Sequence, residues 1–286
     1  MSHVSPLLLR IAALTVFAAS LQACTHLLDA VVPDSGYARE VDQPYGEGPR
    51  RTLDVYVPTG AKPVPAPILV FYYGGNWRDG DKSIYRFVGQ AFASKGIITV
   101  VPDYRLYPET RFPGFLEDGA AAVAWARANA ARLGGDPDRI YLMGHSAGAY
   151  TAAMLALDPR WLDQAGVDRR AVRGLIGLAG PYDFLPLDAN TSAIFGAAPD
   201  LAATQPVKFV SPDAPPMFLA TASWDSTVWP HNVANLTTAA RRNGVAVTTV
   251  EYPRIGHILL VAALAAPLRW MAPVRDDTVA FIGRTQ

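Results

Sequence analysis

The sequence predicts an α/β fold with a mostly parallel central sheet and helices on both faces. Short apolar runs alternate along the chain with longer segments of helical spacing, and this alternation requires crossover connections between parallel strands. Several of the short runs are continuously apolar, as expected for strands that helices cover on both faces. Half of the 286 residues are hydrophobic and 17% are charged, which is enough apolar material for one sizeable buried core.

The predicted elements follow one another between residues 51 and 252. Residues 51–58 alternate apolar and polar side chains and stop at a proline, which is typical of an antiparallel edge strand. Residues 67–73 form a continuous apolar run before a pair of glycines, which predicts a buried strand. Residues 181–212 fit neither period, and we expect them to form a small irregular cap insertion. The remaining elements are, in order, a helix over 83–95, a strand over 97–102, a helix over 115–133, a strand over 140–143, a helix over 149–157, strands over 171–179 and 216–222, a helix over 231–242 and a strand over 245–252.

A Gly-x-Ser-x-Gly motif, made of Gly144, His145, Ser146, Ala147 and Gly148, lies between a predicted strand and a predicted helix. In that setting a tight turn exposes the serine hydroxyl above the sheet, and the amide that follows the serine can face a developing oxyanion. The two glycines remove Cβ atoms where the strand and the helix crowd together. The motif also occurs by chance, but the flanking elements favour a nucleophile elbow with Ser146 as the nucleophile.

A serine hydroxyl needs a base that takes its proton and an acid that orients that base. In proteins with this elbow the chain order is serine, acid, histidine. His257 follows the last predicted strand, at the end of the sheet where catalytic groups gather, and we predict it as the general base. His231, at the start of a predicted helix, is the alternative base.

Asp225 is the predicted acid. It follows the strand over 216–222 and lies between Ser146 and His257 in the chain, so it can fix the imidazole tautomer. Asp183 follows the preceding strand and is the alternative, although it could instead brace a loop. Asp213 precedes its strand and is the weakest of the three candidates.

The oxyanion hole requires backbone N–H donors close to Ser146. Ala147 supplies one of them because it follows the nucleophile. Gly75 and Asn76, which follow the strand over 67–73, are the predicted second source, since glycine lets the backbone approach a substrate oxygen closely. Without the elbow, the glycine pair would be interpreted as an ordinary turn.

At these motifs the chain resembles the α/β-hydrolase esterases related to hormone-sensitive lipases and to arylformamidase-type carboxylesterases. The His-Gly-Gly-x-Trp motif of that family appears at residues 73–77, with Tyr73 in place of the histidine. Further similarities lie at residues 103–106, at 134–140 and in the elbow, so the resemblance spans about residues 50 to 260. It implies the α/β-hydrolase fold and the hydrolysis of small carboxylic esters with short to medium acyl groups, through an acyl-enzyme and without a metal or organic cofactor.

Two other classes of function use the same features. An amidase, a formamidase or an acyltransferase can be built on the same triad, because these enzymes share the acyl-enzyme and differ in the bond cleaved or in the acceptor. A hydrolase-fold binding protein without activity would usually lack a member of the triad, and none is missing from this sequence. Trp77, Trp224 and Trp229 are candidates for the substrate pocket, although such aromatic residues are as often part of a core.

Composition argues against other classes of protein. Lysine plus arginine and aspartate plus glutamate number 25 each, and there is no basic block, which argues against nucleic-acid binding. The sequence contains no recognisable metal-ligand cluster or phosphate-binding loop, so we expect no cofactor.

The amino terminus predicts a secretion signal. Arg10 precedes a short apolar segment over 11–19, which is typical of a signal peptide rather than a membrane span. Leu21, Ala23 and Cys24 resemble a bacterial lipobox, in which the cysteine is acylated and anchors the protein at a membrane surface. Thr25 after the cysteine favours the outer membrane, facing the periplasm. We therefore predict a lipoprotein signal over 1–23, a tether over 24–49 and an α/β-hydrolase domain over 50–286.

Overall fold

The computed structural model describes residues 32–60 and 65–285. The predicted signal and Cys24 lie outside the described residues. Within the described residues, strands form a single eight-stranded sheet in the order β1-β2-β4-β3-β5-β6-β7-β8. The strands are β1 (Tyr37–Pro44), β2 (Thr52–Pro58), β3 (Ala66–Tyr72), β4 (Ile98–Pro102), β5 (Gly135–His145), β6 (Val172–Leu178), β7 (Met217–Ala222) and β8 (Val247–Tyr252).

The sheet is mostly parallel, as predicted. The first two strands are antiparallel to their neighbours, whereas every pairing from β4 to β8 is parallel. The α-helices that connect or flank these strands are α1 (Arg86–Ala93), α2 (Gly114–Ala128), α3 (Ala130–Leu133), α4 (Ala147–Leu157), α5 (Pro159–Gln164), α6 (Ala189–Phe195), α7 (His231–Arg242), α8 (His257–Ala262) and α9 (Val274–Arg284). Short 3-10 helices cover Lys82–Tyr85, Arg169–Ala171, Ala202–Thr204, Pro206–Phe209 and Ala266–Leu268.

Helices cover both faces of the sheet. Every residue of β3 is buried, and successive side chains point to opposite faces. Phe71 contacts Tyr85 on the face covered by α1 and α9, whereas the hydroxyl of Tyr72 donates to the carbonyl of Gly119 in α2 on the face covered by α2 and α4. The continuously apolar sequence of β3 follows from this double cover.

The structure corrects the predicted edge strand. Strand β2 pairs with β1 on one side and with β4 on the other, so it lies inside the sheet and β1 is the edge. Strand β1 lies within residues 24–49, which were predicted to be a tether. It was not predicted as a strand because its side chains are largely exposed and polar and lack the apolar pattern of a buried strand. No helix in the described residues is both long and apolar enough to cross a membrane.

Several helices differ from their predicted bounds. The helix predicted over 83–95 begins as a 3-10 turn, and the one predicted over 115–133 divides at Asn129 into α2 and α3. The sequence pattern does not predict α5, α8 or α9, and α6 lies in the segment over 181–212 that was expected to be irregular. The helix α8 is only six residues long, which is too short for a helical period to stand out from its surroundings.

Candidate active site

Ser146 lies at the turn between β5 and α4, in the backbone conformation of a strained elbow. Its φ is 55° and its ψ is −125°, a region that residues other than glycine seldom adopt. Both neighbouring glycines are sterically required. A Cβ atom at Gly144 would lie 2.2 Å from the backbone of Gly148, and one at Gly148 would lie 2.0 Å from the carbonyl oxygen of Tyr72. The amide of Ser146 donates to the carbonyl of Leu178 at 2.9 Å, which ties the turn to the end of β6.

The structure pairs the predicted base with the predicted acid. Nδ1 of His257, the first residue of α8, lies 2.7 Å from Oδ2 of Asp225, which follows β7. The other carboxylate oxygen of Asp225 accepts hydrogen bonds from the amides of Thr227 at 2.8 Å and Val228 at 3.0 Å. The carboxylate is therefore held by the backbone on one oxygen and presents the other to the imidazole.

These contacts determine the charge of Asp225. Burial raises the pKa of this carboxyl group, but the hydrogen bond with His257 and the amides of Val228 and Thr227 outweigh burial, so its pKa lies below the ordinary value. An ionised carboxylate only accepts hydrogen bonds, so the proton of the pair lies on Nδ1 of His257. In the neutral ring, Nε2 then carries a lone pair and is able to take a proton.

His145 connects the elbow with the loop of the base. Its Nε2 atom lies 3.0 Å from the carbonyl oxygen of His257, and the two rings are 4.7 Å apart between centroids, with an angle of 44° between their planes. His145 immediately precedes Ser146 in the chain. The predicted base is thus packed against the residue next to the predicted nucleophile.

The predicted oxyanion donors lie at the same place. A Cβ atom at Gly74 would be 2.8 Å from Cβ of Ser146, so the glycine-rich loop passes directly against the nucleophile. Gly75 and Asn76 both have positive φ, and Asn76 lines a cleft together with Ser146 and Ala147. Among the described residues, the amides of Gly75, Asn76 and Ala147 donate to no protein acceptor. Unpaired amides beside a serine are what a developing oxyanion requires.

Tyr73 lies beneath this loop rather than in the cleft. It is fully buried, its hydroxyl donates to Oδ1 of Asp103 at 2.6 Å, and Arg50 donates to that hydroxyl at 2.7 Å. Its ring is stacked between those of Tyr85 and Tyr104, with centroid distances of 5.3 and 4.8 Å. The tyrosine that replaces the histidine of the family motif therefore joins the glycine-rich loop to a buried polar network.

Asp103 lies at the centre of that network, and burial disfavours the ionised form of its carboxyl group. Burial raises the pKa of Asp103, although the Tyr73 hydroxyl, the Lys82 amide and Arg50 each favour its ionised form. Arg50 also donates to the carbonyl of Gly80, at the end of the glycine-rich loop, at 2.8 Å. The network thus holds the loop at both of its ends.

The cleft beside Ser146 has a volume of about 470 Å³ and an aromatic wall. Trp77 lines it and packs edge-on against Phe195 and Tyr150, with centroid distances of 4.9 and 5.3 Å. Trp229 lies at the mouth of the cleft and is 71% exposed. Trp224 is 66% exposed and does not line the cleft, so of the three tryptophan candidates only two lie on this cavity.

The alternative acid and base have other partners. Nε2 of His231 lies 2.9 Å from the carbonyl oxygen of Asp183, and the carboxylate of Asp183 accepts a hydrogen bond from Asn235 at 2.7 Å. His231 lines the cleft, but no carboxylate among the described residues bonds to its ring. Asp213 forms an ion pair with Arg169. Of these candidate acids and bases, Asp225 and His257 are the two whose carboxylate and imidazole lie in contact.

Three buried polar side chains hold the cap insertion in place, and sequence analysis did not identify them. Asn232 accepts hydrogen bonds from the amides of Tyr182 and Asp183, both at 2.8 Å. Gln205 accepts from the amide of Phe184 at 2.7 Å, and the hydroxyl of Tyr150 donates to the carbonyl of Thr204 at 2.9 Å. A single sequence carries no signal for such pairings, because the partners are up to 54 residues apart.

Other parts of the described structure offer no comparable chemistry. A larger open groove of about 1120 Å³ lies near the start of β6 and β7, but its Arg169 and Arg170 are paired with Asp213 and Asp168. No group of three or more His, Cys, Asp or Glu side chains suited to a metal ion occurs within the described ranges.

Comparison with known proteins identifies similar sequences and folds. The model of the BD-FAE family matches residues 53–240. The chain is 36% identical over 146 residues to the esterase LipC of Mycobacterium tuberculosis, covering 49% of this chain and 36% of that protein. It is 33% identical over 147 residues to an isoprenylcysteine alpha-carbonyl methylesterase of Arabidopsis thaliana, covering 50% of this chain and 34% of that protein. The chain thus spans about a third of the length of the curated relatives that it matches.

Solved structures of esterases share the fold. Esterase B of Lactobacillus rhamnosis aligns with a TM-score of 0.79 and 23% identity, over 96% of this chain and 94% of that one. An esterase of Pyrobaculum calidifontis aligns with a TM-score of 0.73 and 23% identity, over 98% of both chains. These similarities confirm the predicted α/β-hydrolase fold.

Proposed function

The chain belongs to the BD-FAE family, and on that premise we propose that it hydrolyses carboxylic esters with Ser146 as its nucleophile. The observation that carries the proposal is the pair of His257 and Asp225, joined at 2.7 Å and packed through His145 against the elbow. Its relatives include proteins named as esterases and methylesterases, which supports ester substrates over other classes.

In the proposed reaction, Oγ of Ser146 attacks the acyl carbon of the ester while Nε2 of His257 takes the hydroxyl proton. The tetrahedral oxyanion accepts hydrogen bonds from the free amides of Gly75, Asn76 and Ala147. The C–O bond then breaks, and His257 returns the proton to the departing alcohol. A water molecule repeats the attack on the acyl-enzyme, which releases the acid and restores the serine.

Asp225 has an electrostatic and orienting role in this scheme. Its lowered pKa keeps it ionised while His257 is protonated, so it stabilises the imidazolium and fixes the tautomer without taking the proton itself. No step requires a metal or an organic cofactor, since the nucleophile, base and oxyanion donors all come from the chain.

We expect the acyl group to be short to medium in length. The cleft of about 470 Å³ is bounded by Trp77 and Phe184, and behind them Phe195 and Tyr150 fill the core. An amide substrate or a different acceptor would use the same groups, so an amidase, a formamidase or an acyltransferase is the alternative within enzymes. The intact pairing of acid and base favours all of these over a binding protein without activity.

Hydrolysis of p-nitrophenyl esters from acetate to palmitate, by the purified protein and its Ser146→Ala and His257→Ala variants, tests the proposal. We expect each variant to lose a factor of roughly a thousand or more in kcat. Hydrolysis that survives in Ser146→Ala would contradict the mechanism. If the parent hydrolyses no ester, labelling by a fluorophosphonate separates an enzyme with a narrower substrate, which is labelled at Ser146, from a binding protein, which is not.

We further propose that Cys24 carries a lipid anchor that holds the protein at the outer membrane, facing the periplasm. The support is the apolar segment over 11–19 and the lipobox residues Leu21 and Ala23, together with Thr25 after the cysteine. Metabolic labelling with a fatty acid, followed by separation of the two membranes, tests this. A Cys24→Ala variant that is still labelled, or a parent that fractionates with the soluble proteins, would contradict it.

A further inference from the structure

His145 is a buried polar residue that the proposed reaction does not use. It is the last residue of β5, only 3% exposed, and it lies between three parts of the site. It adjoins Ser146 in the chain, and its Nε2 atom reaches the carbonyl oxygen of His257 at 3.0 Å. On its other side, a Cβ atom at Gly74 would lie 3.2 Å from its Nδ1 atom, so the ring also packs against the oxyanion loop.

These contacts determine the tautomer of His145. A carbonyl oxygen only accepts hydrogen bonds, so Nε2 of His145 carries the proton and donates a hydrogen bond to the backbone carbonyl of His257. Burial, and to a smaller extent the neighbouring ring of His257, lower the pKa of His145 to about 3. The ring is therefore neutral at neutral pH, with Nδ1 unprotonated.

We propose that His145 is a positioning residue, which holds the backbone of His257 through its Nε2–H and so fixes the distance between the base and Ser146. This inference rests on the proposed function. The reaction needs the base within hydrogen-bond reach of the serine hydroxyl, and a displacement of about 1 Å can cost a factor of a hundred in rate. One rigid ring, tied to the elbow by its own backbone and to the base by a hydrogen bond, supplies that constraint.

The neutral ring also suits the electrostatics of the reaction. His257 becomes an imidazolium during attack, with its ring centroid only 4.7 Å from that of His145. A charged neighbour would oppose this step, whereas a neutral donor does not. The charged groups that act on His145 are Asp225, after β7, and His257 itself when protonated, on α8. Asp225 forms a hydrogen bond with His257 and none with His145.

Two substitutions separate positioning from simple packing. His145→Gln keeps an N–H donor near the position of Nε2, whereas His145→Met fills a similar volume without a donor. We expect kcat for p-nitrophenyl butyrate to fall by about ten- to a hundredfold in His145→Met, with KM within about twofold of the parent, and to stay within about threefold of the parent in His145→Gln. Equal losses in both variants, or an unchanged kcat in His145→Met, would overturn the proposal.

Tyr141→Phe is the matched control for lost stability. Tyr141 is a buried residue of the same strand, four residues before His145, and its hydroxyl donates to the carbonyl of Ile282 in α9 at 3.2 Å. We expect this variant to lower the melting temperature while kcat stays unchanged. If Tyr141→Phe lowers kcat as far as His145→Met does, the effect on rate reports stability rather than positioning.

A measurement that does not depend on activity completes the test. In protein labelled with 15N-histidine, the proposal requires His145 to show a protonated Nε2 and an unprotonated Nδ1 between pH 5 and pH 8. A protonated Nδ1, or a titration of His145 within that range, overturns it. If the parent hydrolyses no ester and a fluorophosphonate does not label Ser146, the proposed function fails, and the ring nitrogens still decide whether His145 holds His257.

Discussion

The side chain of Tyr73 helps to set the geometry of the oxyanion loop. Its hydroxyl accepts from Arg50 and donates to Asp103, and its ring fills the space under Gly80, where a Cβ atom would lie 2.5 Å from the ring. Residues after Tyr73 supply the proposed oxyanion donors by their backbone amides. Tyr73, in place of the histidine of the His-Gly-Gly-x-Trp motif, therefore leaves these donors in place.

We expect Tyr73→Phe to lower kcat by about tenfold and to leave KM within about twofold of the parent. The loss of the hydroxyl leaves the buried Asp103 and the half-buried Arg50 without their shared partner, at a cost of about 1–3 kcal/mol, and loosens the loop. Ester hydrolysis and thermal unfolding measure the two effects. Tyr72→Phe is the control, because Tyr72 loses a buried bond to Gly119 that does not involve the loop; equal losses of kcat in both variants would refute a role of Tyr73 in the loop.

Asp225 is the second side chain whose role a single substitution tests. Asp225→Asn keeps the shape of the side chain, but its amide can donate to Nδ1 and so favours the wrong tautomer of His257. We expect kcat to fall by about a thousandfold to ten-thousandfold, as the same change does in other serine triads. Asp183→Asn, at the alternative acid, should stay near the parent in the same assay. A deeper loss in Asp183→Asn than in Asp225→Asn would reverse the assignment.

The cap insertion is an element whose sequence has no regular period but whose position is well defined. Asn232 on α7 and Tyr150 on α4 bond to its backbone from buried positions, which attaches one wall of the cleft to these helices, and Gln205 joins two parts of the insertion to each other. Phe184 lies on this wall, 5.2 Å from Phe195 between ring centroids. The insertion therefore forms a packed wall that limits the size of the cleft.

We expect Phe184→Ala to extend the cleft into the space of the lost ring and to favour longer acyl chains. The ratio of kcat/KM for p-nitrophenyl octanoate to that for the butyrate should rise by about tenfold, the worth of one or two extra buried methylene groups. Leu201→Ala is the control, because Leu201 is an exposed residue of the same insertion away from the cleft. An unchanged ratio in Phe184→Ala would place the acyl chain elsewhere.

The molecule as a whole places its candidate site where the topology gathers loops. Ser146, Asp225 and His257 follow β5, β7 and β8, and the glycine-rich loop follows β3, so all four come from the carboxyl ends of parallel strands. The large groove near the start of β6 and β7 lies at the other end of these strands. Its size alone does not make it a site, and its Arg169 and Arg170 are already paired with Asp213 and Asp168.

His145 also links the site to the stability of the whole protein. The pKa of His145 is about 3 in the folded state, against an ordinary value of 6.5. The unfolded chain therefore binds more protons than the folded one between these values, and stability falls as the pH is lowered from 6.5 towards 3. We expect the free energy of unfolding to drop by about 2 kcal/mol more in the parent than in His145→Gln between pH 7 and pH 5.

Urea unfolding at the two pH values measures this difference. His145→Gln serves as the reference for the parent, because every other titrating group is common to both proteins. Parallel pH dependence in the parent and in His145→Gln would mean that His145 is protonated in the folded state as readily as in the unfolded one.

The local pattern of the chain was sufficient to predict the α/β fold, the elbow around Ser146 and the order of the candidate triad. Apolar runs, glycine pairs and residues that follow strands are properties of neighbouring residues, so a single sequence contains them. Strand β1 escaped prediction because an exposed edge strand needs no apolar pattern, and α8 because six residues are too few to display a helical period.

Other features depend on residues that meet only in the folded chain. The hydrogen bond from His145 to the backbone of His257, the position of Tyr73 over Asp103, and the bonds of Asn232 and Gln205 to the insertion join residues 21 to 112 positions apart. Sequence alone determined which residues can do the chemistry, because reactive side chains are visible in their local motifs. Tertiary structure decided what holds them in place, because buried polar groups take their partners from wherever the fold brings a donor and an acceptor together.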